Sequence, residues 1–376
     1  MPSVLLSAEA AKMPTAHKIH ILGDDERSKF IAHALSGVYD SVELLAWRNS
    51  SSKYPLIQKK NPQRKREAST PIQPLVTPRI LAKDDDSHID QLFVSGMGRD
   101  AVEALQSVKH RIDDKTSICL MNDGLGVLED VREKVFNGTH TNPNFMLGHM
   151  SHRLAWNRRH NSVKELRSGQ LQLTLPDQVG VQTQTDKNQH FVESLRAVKS
   201  LNTLLTPLDQ WLRFKLPSVI FDSVAEPVCV FLDMPYQGLL QNPAAGRMMS
   251  TLLSEILLVI EAMPEVEGST IIRDFIRGKG PKRLLYNNIM AKQSQTSELA
   301  RKVAQGKPTD IDYLNGYFAK RAKQLSLDMP TNAVMREMIK AKHSQAIEKR
   351  NSYIPVEETS IPSDQWFKYR SLPRSH

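Results

Sequence analysis

The sequence has few cysteines and no long apolar run, and each shortage excludes a class of protein. Its two cysteines, Cys119 and Cys229, lie in apolar stretches, so we expect buried reduced thiols and no disulfide framework. No run of about 18 apolar residues occurs, which argues against a transmembrane helix and membrane insertion. The longest apolar stretch, 252–263, is interrupted by polar residues and is typical of an amphipathic or core helix.

Spacings that favour a metal site are also lacking. His149, His152 and His160 lie close in sequence, but no cysteine or carboxylate stands at zinc-ligand spacing beside them. We therefore expect ordinary loop or strand histidines and no bound metal.

Positive charge is abundant and concentrated in one segment. Residues 48–83 hold nine Lys/Arg and one acid, Glu67, a net +8 in a chain whose formal charge is +9. Such a segment favours a polyanionic partner, RNA or a ribonucleoprotein first, although a solvated loop without a partner has the same composition. The candidate RNA-binding residues are Lys59, Lys60, Arg64, Lys65 and Arg66.

Strand and helix patterns alternate in the N-terminal half. A short apolar run ends at Gly23, an amphipathic helix follows, and 41–47 is typical of a second strand. The segment 49–86, which holds five prolines and the basic cluster, predicts a long insertion, with regular structure resuming at Ile89. Further strands are predicted at 89–94, 117–121 and 145–149, with a helix over 100–112.

Helical periodicity replaces this alternation from about residue 207, over 208–221, 245–262, 294–304, 310–324 and 331–342. The fold class predicted is α/β followed by all-α. The predicted parts are an N-terminal extension at 1–17, a parallel-sheet domain at 18–206 with its basic insertion at 49–86, a helical domain at 207–350, and a tail at 351–376. The extension is a weak targeting candidate.

The turn after the first strand is where a dinucleotide-binding GxGxxG sequence would lie. Only its first glycine, Gly23, is present; Asp25 takes the second place and Ser28 the third. Three successive acids, 24–26, suit a helix N-terminus but would repel a pyrophosphate. The pattern predicts a capped helix and no bound dinucleotide.

Several segments in order resemble the ketopantoate reductase family, which reduces 2-dehydropantoate to pantoate with NADPH. They are KIHILG, IDQLFVSGMGRDAVEAL, ICLMNDGLGVLEDV, MLGHMSHRLAW, WLRFKLPSVIFDSVAEPVCVFLD, GLLQNPAAGRMMSTLLSEI and PTDIDYLNGYFAKRA. The resemblance covers most of 18–345, particularly to fungal members. It implies a Rossmann-like domain, a helical domain like the C-terminal domain of 6-phosphogluconate dehydrogenase, and an active site between them.

The family's functional positions are altered in this chain. Met97 replaces a cofactor lysine and Asp123 the asparagine of the QNG turn, whereas Arg48 matches an arginine for the NADP 2′-phosphate. Counted from Pro227, the catalytic lysine falls at Ser218, while Lys215 lies three residues away. The degenerate equivalents of the catalytic and substrate positions are Ser218, Asp222, Glu226, Glu298 (or Ser297 after a one-residue slip) and Asp310.

These changes favour a pseudoenzyme, because a serine supplies neither the proton nor the charge of a lysine and the acids oppose an anionic substrate. We expect no cofactor and a scaffold that binds RNA or a ribonucleoprotein. The fungal likeness favours the mitochondrion, with a role at its ribosome or in translation; the cytoplasm is the alternative compartment. The alternative function is a working NADPH-dependent 2-dehydropantoate 2-reductase, or a related oxidoreductase. A third hypothesis is an assembly protein that binds partners through the helical domain.

Overall fold

A computed structural model describes residues 18–23, 25–46, 76–80, 87–138, 141–157, 162–176 and 186–352. Its strands are β1 Lys18–Leu22, β2 Ser41–Ala46, β3 Val76–Ile80, β4 Gln91–Gly96, β5 Ser117–Asn122, β6 Asn144–Met150, β7 Arg153–Asn157, β8 Ser162–Arg167, β9 Leu171–Thr174 and β10 Thr203–Leu205. Its α-helices are α1 Glu26–Leu35, α2 Gly98–Val108, α3 Val127–Val131, α4 Asp186–Ala197, α5 Leu208–Leu232, α6 Tyr236–Gln241, α7 Pro243–Ala262, α8 Thr270–Arg277, α9 Gly280–Lys292, α10 Glu298–Ala304, α11 Asn315–Gln324 and α12 Pro330–Asn351.

Eight of the strands form one sheet in the order β10-β9-β6-β5-β4-β1-β2-β3. Neighbouring strands from β3 to β6 run parallel, and β6 pairs antiparallel with β9. The carboxyl ends of β1, β4 and β5 therefore lie side by side, and the turns that follow them form one edge of the sheet.

Both faces of this sheet are covered, as the alternating pattern predicted. One face packs on α1 and α4, with Ile21, Phe30 and Phe191 buried there, and the other packs on α2 and α3. The central strands β4 and β5 carry apolar runs because neither side of them meets water. The predicted α/β class is confirmed.

Regular structure resumes earlier than the sequence predicted. β3, at Val76–Ile80, lies inside the expected insertion 49–86 and pairs with β2 in parallel. Its Pro78 removes one backbone donor, which an edge strand tolerates because only one of its sides is paired. The rest of that insertion lies outside the described residues, and so do the five RNA-binding candidates and Arg48.

The helical domain follows as predicted, but its elements have different lengths. α5 continues to Leu232, eleven residues beyond the predicted end, although it contains Pro217 and Pro227. Most of its apolar side chains are buried in the helical core, which holds the helix together across both prolines. Three helices, α6, α8 and α9, were not predicted, and α12 runs to Asn351.

Among the described residues, α7 is long and apolar enough, with a mean hydropathy of 1.3 over its window, to match a membrane span by length and composition. Core helices of globular domains meet the same criterion. In this structure α7 is such a core helix, because its Leu252, Ile256 and Ile260 are buried in the core of the helical domain.

Candidate functional site

Only a glycine fits at position 23, in the turn after β1. Gly23 has φ +155°, and a Cβ at this position would lie 2.4 Å from Ser95 Oγ. The helix that follows is capped by Asp25, whose carboxylate accepts hydrogen bonds from the Ser28 backbone N–H at 2.8 Å, Ser28 Oγ at 2.8 Å and Ser95 Oγ at 2.9 Å. The first turn of α1 is thus closed by a side chain of the protein itself.

Arg27 connects this turn to the turn after β5. Its Nε donates to Asp25 Oδ2 at 2.8 Å, and its two terminal nitrogens donate to both oxygens of Asp123 at 2.7 and 2.9 Å. We call Asp25, Arg27 and Asp123 the Arg27 bridge. Paired charges with bidentate geometry are among the strongest polar contacts in proteins.

The Arg27 bridge keeps both carboxylates ionised. Burial acts to raise the pKa of Asp25 and of Asp123, but the Arg27 guanidinium, together with the Ser28 hydrogen bonds at Asp25 and with Lys215 and Lys302 at Asp123, holds both pKa values below the ordinary value. Arg27 was not among the residues predicted for the site. Its signal was present in Asp25-Glu26-Arg27, where a cation follows acids at the turn.

A dinucleotide does not fit this arrangement. In a Rossmann-like domain the pyrophosphate lies against the backbone N–H groups that open the first helix. Here the Ser28 N–H is taken by Asp25, and Arg27 spans the gap to Asp123. Met97 at the end of β4 makes no side-chain cap to α2 and offers no charge to a phosphate.

The turns of the Arg27 bridge face the helical domain across a cleft, and one face of α5 forms the opposite wall of this cleft. Residues 215, 222 and 226 share this face because seven and four residues are close to whole turns. The Lys215 side chain is buried, and its Nζ donates to the Asn122 carbonyl at 2.6 Å. Lys215 lies about one turn before Ser218, the position that the count from Pro227 assigned to the catalytic lysine, and its side chain reaches the cleft.

Ser218 is engaged by its own helix, since its Oγ donates to the Lys215 carbonyl at 2.8 Å. Lys215 itself is strongly perturbed. Burial, with Arg27 nearby, lowers the pKa of the Lys215 ammonium to about 8 although Asp123, Asp222 and Asp310 act to raise it. The protonation state of Lys215 near neutral pH therefore depends on its burial and on the charged groups around it.

Asp222 and Asp310 have the opposite perturbation. Burial, then the neighbouring Glu226 and Asp123, raise the pKa of Asp222 to about 8; burial and Asp123 raise that of Asp310 to about 7. Because both carboxyl groups hold protons near neutral pH, the expected acidic pocket is less negative than the residue types indicate.

Glu226 and Ser297 serve the packing of the helical domain. Glu226 accepts hydrogen bonds from Tyr236 Oη, Ser297 Oγ and, at 3.0 Å, the Leu299 N–H. Ser297 also caps α10 through the Ala300 N–H at 3.0 Å. Glu298, in contrast, points outward and pairs with Lys302 at 3.3 Å. Of the two residues that the alignment offered, Ser297 is therefore the buried one.

The described residues contain no group of three or more His, Cys, Asp or Glu side chains with metal-binding geometry. His149 on β6 lies close to Lys215, Arg27 and Asp123. Burial, with the nearby Lys215, lowers the pKa of His149 to about 3, so its ring is neutral at physiological pH. His160 lies outside the described residues.

Two family models match this sequence. Residues 19–178 match the one described as Ketopantoate reductase PanE/ApbA, and residues 210–343 match Ketopantoate reductase PanE/ApbA C terminal. A similar curated protein is the 2-dehydropantoate 2-reductase of Aquifex aeolicus (strain VF5). It is 22% identical over 258 residues, which are 67% of this chain and 76% of that protein.

Solved structures of the same architecture are similar over most of the chain. The PanE/ApbA family ketopantoate reductase from Ralstonia eutropha JMP134 has a TM-score of 0.65 at 15% identity, covering 88% of this chain and 99% of that one. A ternary structure of D-mandelate dehydrogenase with NADH and anilino(oxo)acetate has a TM-score of 0.61 at 16% identity, with the same coverage. At these identities the likeness to solved structures establishes the fold alone.

Proposed function

The chain belongs to the ketopantoate reductase family, and we propose that it is a member that no longer transfers hydride and keeps the fold as a binding scaffold. The Arg27 bridge carries this proposal. Its Asp25 occupies the Ser28 N–H in the first turn of α1, and its Arg27 joins this turn to the turn after β5.

The charges at this turn oppose a nucleotide. Two unit charges about 4 Å apart interact by roughly 4 kcal/mol at an effective dielectric of 20, and a pyrophosphate would meet the ionised carboxylate of Asp25 at this range. Displacing Asp25 would also break its three hydrogen bonds and its contact with Arg27. Both effects weaken the binding of NADPH.

The reaction also lacks its proton donor at the family's position. Reduction of a ketone needs a group that donates a proton to the developing alkoxide and stabilises its charge. Ser218 stands where the family has its lysine, and its hydroxyl donates to its own helix. Met97 and Asp123 remove two further side chains that the family uses.

The test is a calorimetric titration of the full-length chain with NADPH, followed by NADPH oxidation assays with 2-dehydropantoate. We expect neither binding at millimolar NADPH nor turnover in a sample whose circular dichroism is that of a folded protein. Turnover that is lost in Lys215→Ala would overturn the proposal.

For the scaffold we propose RNA as the partner, supported by the net charge of +8 between 48 and 83. Replacing Lys59, Lys60, Arg64, Lys65 and Arg66 with Ala is expected to weaken binding of a single-stranded RNA. It should also reduce the salt slope by up to about 3.5, because each phosphate contact contributes about 0.7.

A matched control replaces five exposed cations of the helical domain, namely Arg273, Lys279, Lys282, Arg283 and Lys323. If both five-residue variants reduced RNA binding equally, the charge effect would be general and the basic segment would have no special role. A sucrose gradient of native lysate with and without ribonuclease then tests for a ribonucleoprotein partner.

A working NADPH-dependent reductase of 2-oxo acids is the second candidate, and Lys215 favours it. Its ammonium reaches the cleft from α5, where a cationic lysine could donate a proton to a reduced carbonyl. Opening of the Arg27 bridge would have to precede cofactor binding. The oxidation assay above decides between the two candidates.

A further inference from the structure

The outer face of α9 combines cations with large apolar side chains and has no acid. The inner positions of this helix, Pro281, Leu285 and Ile289, recur every four residues and are buried. The two positions after each of them are exposed, and they are Lys282, Arg283, Tyr286, Asn287, Met290 and Ala291. Because residues four apart lie on the same side of a helix, these side chains form one surface, which we call the α9 face.

The chain around the α9 face is basic over a longer stretch. Residues 270–292, which comprise α8 and α9, hold six Lys/Arg and one acid, a net +5. Arg277 of α8 is paired with Glu261 at 2.7 Å. Lys282 and Arg283, in contrast, form no ion pair with any residue that the structure describes. Their charges therefore attract a negatively charged partner from outside the chain.

A second exposed apolar pair, on α12, has a different electrostatic setting. Val334 and Met338 are 58% and 42% exposed, and Tyr286 and Met290 of the α9 face are similarly exposed at 54% and 40%. The cation between the α12 pair, Arg336, is neutralised by ion pairs with acids of its own surroundings. Apolar surface without net charge is common on proteins. The α9 face differs because its apolar side chains lie beside unpaired cations.

We propose that the α9 face binds an anionic phospholipid surface, with Lys282 and Arg283 at the headgroup phosphates and Tyr286 and Met290 in the interfacial layer. Clusters of Lys/Arg on a helix attract anionic lipids, and a tyrosine suits the headgroup level because its ring is apolar and its hydroxyl polar. Single-stranded RNA would meet the same cations, but it gains affinity by stacking bases on aromatic rings, and Met290 is aliphatic. The attachment is peripheral and is independent of the Arg27 bridge.

The test is sedimentation of the full-length chain with vesicles of phosphatidylcholine containing about 30% phosphatidylserine, and with vesicles of phosphatidylcholine alone, in about 0.1 M salt. We expect tighter binding to the anionic vesicles. Lys282→Gln with Arg283→Gln should weaken it about 30-fold, because each cation at such a surface contributes about 1 kcal/mol. Tyr286→Ser with Met290→Ser should weaken it about tenfold, because the apolar surface that enters the interfacial layer is lost.

Two double variants elsewhere in the helical domain are the controls. Val334→Ser with Met338→Ser removes the exposed apolar pair of α12, and Lys307→Gln with Lys323→Gln removes two exposed cations. Both should bind the anionic vesicles as the parent does. Because the basic segment 48–83 also attracts anionic lipids, every variant is measured a second time in the chain whose five RNA-binding candidates are replaced with Ala. Circular dichroism confirms that each variant is folded.

The proposal is overturned if vesicles of phosphatidylcholine alone bind as tightly, if neither α9 variant weakens binding, or if the α12 control weakens it as much as Tyr286→Ser with Met290→Ser does. Single-stranded RNA is titrated with the same samples. If the α9 variants weakened RNA binding and left vesicle binding unchanged, the α9 face would be an RNA site and not a lipid site. NADPH titration reports on the loss of hydride transfer separately.

Discussion

The two ends of the interdomain cleft differ in how far their polar groups are satisfied. At the Arg27 bridge, both oxygens of Asp25 and both of Asp123 accept hydrogen bonds from neighbouring side chains or backbone. Around Lys215, the buried Trp211 Nε1 and Asn122 Oδ1 have no hydrogen-bond partner among the described residues. A ligand at the first end must displace existing contacts, whereas at the second end the protein itself leaves buried polar groups unsatisfied.

The largest effect should follow from removing the carboxylates of the bridge. Asp25→Gly with Asp123→Asn frees the Ser28 N–H and leaves Arg27 to pair with a phosphate. We expect NADPH affinity to rise about 100-fold, somewhat less than the full repulsion between unscreened charges would give. Calorimetric titration measures it.

The control for that gain is Glu267→Gln with Asp274→Asn, which changes the same charge at exposed sites of the helical domain. It should leave NADPH affinity unchanged. If the double variant of the bridge still bound no NADPH, the two carboxylates would not be the cause of the weak NADPH binding.

The second effect concerns stability at the same end. Arg27→Met leaves two carboxylates without their counter-charge, and the Arg27 and Asp25 side chains are only 23% and 20% exposed. We expect the free energy of unfolding to fall by about 2 kcal/mol, less than for a fully buried pair because Asp123 is partly exposed. Urea denaturation at pH 7 measures the change.

Arg99→Met provides the comparison, since Arg99 pairs with Glu103 on the surface of α2 at 3.4 Å. Its cost should stay near 0.5 kcal/mol or below. Equal costs for Arg27 and Arg99 would remove the distinction between the bridge and an ordinary surface ion pair.

The third effect is the pH dependence of stability, which differs between the carboxylates of the bridge and Asp222. Asp25 and Asp123 have pKa values below 3.8, so they stabilise the fold above that value and lose this contribution as the pH falls through their folded pKa values. Asp222, whose pKa is raised to about 8, has the opposite sign: it costs stability progressively as the pH rises from 3.8 to 8. Asp222→Asn should therefore stabilise the protein by about 1.5 kcal/mol at pH 8 and hardly at all at pH 4.

Urea denaturation of parent and Asp222→Asn at both pH values measures this difference. Because Glu226, Asp123, Lys292 and Glu298 also act on Asp222, the comparison is made between two proteins that share all of them. A gain that is the same at pH 4 and pH 8 would show that the amide acts by packing and not by removing a titrating group.

The sequence was sufficient for the architecture because the strands at β1, β2, β4, β5 and β6 carry apolar runs bounded by turns. It failed for β3, whose residues lie in a proline-rich segment and pair only at a sheet edge. It also ended α5 at Phe221, because internal prolines are normally helix breakers and the packing that holds this helix intact is a property of the tertiary structure.

The candidate site was predictable in its acids and not in its contacts. The substitutions at Asp25, Asp123 and Asp222 follow from the order of the segments. The pairing of Arg27 with Asp123 joins residues 96 positions apart, and no local pattern specifies it. Lys215 was set aside because the count from Pro227 placed the lysine position at Ser218. The long side chain of Lys215 nevertheless reaches the cleft from one turn earlier in α5.

The smallest effect should come from removing the charge of Lys215, and it should have the opposite sign to the effect of removing that of Arg27. The Lys215 ammonium is buried with one described hydrogen bond, and its folded pKa of about 8 lies below its ordinary value of 10.5. Below pH 8 the folded state therefore carries a desolvated charge that the unfolded state hydrates freely, and above about 10.5 both states are neutral and the penalty is absent. Lys215→Met should raise the free energy of unfolding by about 1 kcal/mol at pH 7, and the gain should shrink as the pH passes 8. If Lys215→Met instead destabilised the protein as Arg27→Met does, the ammonium would be a satisfied structural cation, and the two ends of the cleft would not differ in how far their polar groups are satisfied.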